Sequence, residues 1–212
     1  MKAKKLLVVI AGAAMPFIGN AAFVIGPETD TFSTVPPVGG TSDTGVAKYN
    51  GPYTLLGVKL VIGGTMSGSF ETISTVSGNN SVELWWKPST TVSGGGLSAG
   101  TSGDLTYGPI VLTFNGDSTD WGSPLDWNYS ADSGWVNTPA VLAAFSGPGT
   151  VSFSIANDTD NGIDSKGGYQ HFADFANEGS IEVYYEVPEP QTYALLAGLG
   201  MLGFVAIRRR MR

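Results

Sequence analysis

The chain has 212 residues, of which 42% are hydrophobic and 14% charged, with 30 glycines, 12 prolines and a formal net charge of −7. The absence of cysteine and a single histidine, His171, exclude a disulfide framework, thiolate-held metals, a thiol nucleophile and any multi-histidine metal centre. The acidic balance speaks against nucleic acid as a partner.

The N-terminus carries Lys2, Lys4 and Lys5, runs apolar from Leu6 to Ile18, and closes on Gly19, Asn20, Ala21 and Ala22. That order predicts a signal peptide over residues 1–21, cut after Ala21 by signal peptidase, and hence export. An uncleaved anchor is the alternative, although its apolar core is short and Pro16 interrupts it.

Residues 22–187 then make one domain's worth of chain. Four lysines stand there against seventeen Asp and Glu, a formal charge near −13. Apolar residues alternate at Val58/Leu60/Ile62, Val82/Leu84/Trp86, Ile110/Leu112/Phe114, Val151/Phe153/Ile155 and Ile181/Val183/Tyr185/Val187, the period of half-buried strands. A weaker strand covers 66–76, and clusters such as Gly94-Gly95-Gly96 supply turns. The expected fold is all-β, an antiparallel β-sandwich of seven to ten strands with jelly-roll-like character. One short helix is predicted after Thr138 as N-cap and Pro139 as first residue, stopped by Gly147-Pro148-Gly149.

Candidate sites within this domain are few. Gly96-Leu97-Ser98-Ala99-Gly100 has nucleophile-elbow spacing but sits in a Gly/Ser loop rather than between a strand and a helix. Trp121, Trp127 and Trp135 fall in a loop-like stretch, 115–137, rich in Asp, Asn and Ser, where indoles stack on sugar rings or, alternatively, plug the ends of the sandwich. Trp85 and Trp86, adjacent on a strand, point to opposite faces, so with one sheet face wet at most one of them is core and the other is the exposed candidate. Asp158, Asp160 and Asp164 gather around Gly162 as hard oxygen ligands for calcium, though without EF-hand spacing; a solvated acidic loop is the plainer reading. No other cofactor is implied. His171 near Asp174 is a weak catalytic candidate, and the abundant carboxylates leave a glycosidase pair open without pointing to one.

The C-terminus is more specific. Pro188-Glu189-Pro190 precedes an apolar run over 192–207 and a basic tail, 208–212, with Arg208, Arg209 and Arg210. The run is expected to be a single transmembrane-type helix of about 24 Å, short of the roughly 30 Å hydrocarbon core unless the arginine stems snorkel or the bilayer thins. The arginines keep the end cytoplasmic and the domain outside. In order, spacing and position, residues 188–212 resemble the PEP-CTERM sorting signal of exported proteins in exopolysaccharide-making Gram-negative bacteria. The resemblance implies passage through the inner membrane and processing near Pro188-Glu189-Pro190 by a transpeptidase-like exosortase. More loosely, the 55–62 strand and the 139–151 segment resemble the choice-of-anchor E domain, a β-rich exported module with no implied catalytic residues.

Together these readings describe a noncatalytic protein of the cell surface or extracellular matrix, associated with exopolysaccharide or biofilm. A carbohydrate-binding module using the Trp-rich stretch and a secreted hydrolase are the alternatives.

Overall fold

A computed structural model of the chain describes residues 22–34, 41–75, 79–113, 118–120, 125–165 and 169–210. Among these residues run β1 (Ala22–Thr34), β2 (Thr41–Ala47), β3 (Gly57–Ser74), β4 (Asn79–Gly94), β5 (Leu97–Ser102), β6 (Leu105–Thr113), β7 (Ser118–Asp120) and β8 (Leu125–Asp132), then the helix α1 (Pro139–Ala144), β9 (Thr150–Ser165), β10 (Tyr169–Pro188) and the helix α2 (Pro190–Arg210). The signal-peptide segment, with its cleavage residue Ala21, lies outside the described residues.

All strand pairings are antiparallel and fall into two sheets of five. One has the order β1-β10-β3-β7 with β8 also on β3; the other has β2-β9-β4-β5 with β6 also on β4. Successive strands change sheet at β1/β2, β2/β3, β3/β4, β6/β7, β8/β9 and β9/β10, so the chain shuttles across the core. The sequence-predicted strands fall in β3, β4, β6, β9 and β10, with Phe114 outside the described residues, and β3 absorbs most of the weak 66–76 segment. A ladder continues through Ser, Thr and Gly as long as side chains still alternate. Gly95 (φ 58°) and Gly96 (φ 84°) form the two-residue turn between β4 and β5, both in the left-handed region that such a hairpin turn demands.

The inner faces form two apolar clusters. One holds Val58, Leu60 and Ile62 of β3, Ile181, Val183 and Tyr185 of β10, Val92 of β4 and Phe153 and Ile155 of β9. The other holds Met66, Phe70, Val82, Leu84, Trp86 and Leu112. Trp86 is the core member of the Trp85/Trp86 pair, edge-on to Phe70 at 5.4 Å.

Along β4, β9 and β10 a buried polar layer separates the two clusters. Asn177, 0% exposed, donates from Nδ2 to Asn157 Oδ1 (2.6 Å) and Thr90 Oγ1 (3.2 Å), and its Oδ1 accepts from the Tyr129 hydroxyl (2.8 Å). Asn157 in turn donates to Thr34 Oγ1 (2.8 Å). Buried amides are tolerated here because they satisfy one another. Gly64 and Gly179, register partners on β3 and β10, make room for the phenol: a Cβ on either would lie 2.7 or 2.9 Å from the Tyr129 oxygen.

Links between the sheets close the edges. The Asp30 carboxylate of β1 accepts from Thr44 Oγ1 and from the Gly45 N–H (3.1 Å) of β2, contacts that hold its pKa below the usual carboxylate value. Tyr185 of β10 donates across the core to Ala47 O (2.6 Å), and burial pushes its phenol pKa well up. Helix α1 appears where predicted, with Val141 buried and Phe145, its C-cap, fully enclosed. Thr138 adopts the extended N-cap backbone but makes no side-chain cap bond, so the preset φ of Pro139 does more to start this single turn and a half.

Candidate functional site: the C-terminal segment and the outer aromatic side chains

The predicted sorting segment begins inside the sandwich. Ala22, Phe23, Val24 and Ile25 of β1 pair with Pro188, Val187, Glu186 and Tyr185 of β10. Val187 is fully buried, and Glu189 alone separates the end of β10 from the first residue of α2. The 21 residues of α2 extend about 31 Å. Leu195, Leu199, Met201, Leu202, Phe204, Val205 and Ile207 are all exposed, on every side of the helix. A Cβ added at Gly198, Gly200 or Gly203 would meet nothing within 4 Å, so these positions carry no packed neighbour. Arg208 and Arg209 are exposed at its end.

One expectation is corrected here: among the described residues no helix is long and apolar enough to cross a membrane. Three glycines and the flanking Gln191 and arginines dilute the apolar run, and the helix is longer than its hydrophobic stretch.

The tryptophan-rich stretch is also corrected, since much of it is strand. Trp121 lies outside the described residues. Trp127 sits on β8, half-buried, 5.1 Å from the Tyr129 ring and packed against both apolar clusters, so it closes the seam of the core. Trp135 follows β8 and is 43% exposed. Lys59 Nζ lies 5.4 Å from its ring centroid and 5.1 Å from that of Tyr184, the register partner of Lys59 on β10. A Cβ at Gly57 would come within 3.3 Å of the Trp135 ring, so the missing side chain lets the indole approach the sheet. The Tyr184 hydroxyl donates to Glu182 (2.6 Å), which raises its pKa. An outer-face pair of aromatic rings flanked by carboxylates and a cation results, and Tyr184 was the member that sequence reading missed.

The calcium reading does not survive as a loop. Residues 157–164 belong to β9, with Asp158 and Asp160 on its outward face and Asp160 opposite Lys87. Six residues of strand place Asp158 and Asp164 about 20 Å apart, too far to share an ion. Asp164 instead faces Glu83 across the ladder, in an open groove of about 450 Å³ also lined by Asn79, Ser81 and Ser165. Among the described residues no three His, Asp or Glu converge as metal ligands.

The catalytic candidates separate as well. Ser98 is exposed on β5 after the Gly95-Gly96 turn, with no helix following, so the elbow is not formed. His171 points inward, stacked on Phe70, with Nε2 2.9 Å from Asn161 Oδ1, and desolvation lowers its pKa. Asp174, three residues on, faces the opposite side of the sheet and cannot orient the imidazole.

Comparison with known proteins agrees with the tail. Residues 186–210 match the PEP-CTERM protein-sorting motif. No curated protein matches the chain. Among solved structures, the chain is similar to a chain of infectious bursal virus-derived T=1 particles, at TM-score 0.17 and 13% identity over 80% of this chain and 40% of that one. A second similarity is to the infectious bursal disease virus Gt strain, at TM-score 0.14 and 12% identity over 80% and 42%. The chain spans less than half the length of these relatives, and scores this low carry no argument.

Proposed function

We propose that this chain is a noncatalytic exported protein, delivered through the inner membrane, processed by an exosortase at its C-terminal signal, and resident at the cell surface or in an exopolysaccharide matrix. The observation that carries the reading is the sorting motif over residues 186–210, which runs from the last residues of a folded β-domain through an all-round apolar helix to its closing arginines. The domain is read as a jelly-roll-like sandwich of the choice-of-anchor E kind, supported by the shuttling of consecutive strands between two sheets.

Intact-mass analysis of the exported protein, in a Gram-negative host with an exosortase, tests this. The mature species is expected to lack residues 1–21 and the α2 segment, and Glu189→Ala is expected to leave the fold intact while blocking C-terminal processing. A mature species still ending at Arg212 overturns the sorting reading.

A second reading is favoured by one observation, the exposed Trp135 beside Lys59 and Tyr184: this face binds a polysaccharide by ring stacking. Binding on a glycan array that is lost in both Trp135→Ala and Tyr184→Ala, but kept in Trp85→Ala, supports it. Equal binding by all three variants counts against it.

A further inference from the structure

The match to the sorting motif starts at Glu186, yet residues 186–188 are still strand. An enzyme that cuts near Pro188-Glu189-Pro190 needs extended backbone to hold. From Pro190 onward the chain is helical, with its backbone groups turned to each other, so the extended peptide next to the motif is the end of β10 itself.

That end is guarded mainly from one side. Pairing with β3 stops at Glu186, which faces Gly57 and accepts from the Leu56 N–H (2.8 Å), whereas Val187 and Pro188 pair with β1. The covering piece of β1, Ala22–Ile25, is held weakly. Phe23 and Val24 are 53% and 46% exposed, and of the lap's large side chains only Ile25 packs on the core. Register breaks between Ile25 and Glu28, and beyond the break β1 is fastened to β2 through Asp30. The lap can therefore lift as a unit while the rest of the edge stays paired.

We infer that the edge of β10 at Tyr185–Pro188 is the docking surface for the processing enzyme, a membrane-bound transpeptidase that adds to it as a strand in place of Ala22–Ile25. The two compete for the same main-chain groups, so opening of the lap gates processing. Strand addition to a freed edge supplies main-chain hydrogen bonds, and exposed side chains of alternating residues give selectivity. This inference rests on the sorting reading above, and the experiment separates the two.

Val24→Cys/Glu186→Cys joins register partners whose Cα atoms lie about 4.5–5.5 Å apart, within the reach of a disulfide. The native chain has no cysteine to interfere. Pulse-chase of the full chain in the same host, read by intact mass, is expected to show the oxidised variant processed at less than about a tenth of the wild-type rate, since local opening is forbidden. Reduction is expected to raise processing of the same double variant, and Val24→Cys alone, on the displaced segment, to be processed at the wild-type rate. Val24→Gly/Ile25→Gly, which loosens the lap, is expected to be processed several-fold faster. Wild-type rates in both the oxidised and the glycine variants overturn the inference while leaving the sorting reading intact. A wild-type chain that is never processed overturns the sorting reading itself.

Discussion

Replacing Asn177 by leucine keeps a side chain of similar size but removes the centre of the buried polar layer. The Tyr129 hydroxyl loses its acceptor, Thr90 loses a donor and Asn157 Oδ1 keeps only Thr90. Each buried group left without a partner costs about 1–3 kcal/mol, and Asn157 is partly compensated, so the expected loss is roughly 2–4 kcal/mol. Against a typical domain stability of about 5–15 kcal/mol, that is a large fraction. In urea, with a slope of about 2 kcal/mol per molar, the unfolding midpoint of the full chain in mild detergent should fall by about 1–2 M. Tyr129→Phe alone should cost about 1 kcal/mol, and the double variant should fall short of the sum, because the lost partners are shared. A midpoint for Asn177→Leu within about 0.3 M of wild type, or a strictly additive double variant, would refute the claim that these groups form one interdependent network.

Gly179→Ala places a methyl 2.6 Å from the Phe32 ring and 2.7 Å from the Gly63 carbonyl, and overpacking of this kind should lower stability by about 1–3 kcal/mol, read as a drop in Tm. His171 is held below its usual value near 6.5 chiefly by burial, so the unfolded chain takes up its proton first as pH falls. Its contribution is therefore intact above about pH 6.5 and declines below it, at no more than about 1.4 kcal/mol per pH unit; His171→Asn should flatten the Tm profile between pH 7.5 and 5. Leu195→Asp on the exposed apolar helix should slow C-terminal processing, read by intact mass, and leave the melting of the sandwich unchanged.

The apolar alternation at 58–62, 82–86, 151–155 and 181–187 announced the central strands because the residues that must be buried there are the ones that repeat at period two. The same rule failed at 157–164, where Asn157 and Thr159 occupy inward positions and look like loop chemistry. Their partners lie far along the chain, Asn157 with Thr34 and Asn177, so no local window shows that the polar groups will be satisfied. Likewise β8 has too few apolar residues to stand out and is ordered by pairing with β3, which turned Trp127 from an expected loop residue into a core seal. In the tail, order and terminal position were enough to identify the motif. The strand itself was legible as far as Val187; what stayed invisible was its pairing with Ala22–Ile25, residues from the opposite end of the exported domain.

That meeting of Ala22 and Pro188 makes the fold separable from its address. Closely apposed ends suit circular permutation, so a short linker from Pro188 to Ala22, with new ends opened between the exposed Pro148 and Gly149, should give a sandwich that assembles without residues 1–21 or the α2 segment. The same apposition would let the intact body be spliced into a surface loop of another exported polypeptide, which would then carry it as cargo.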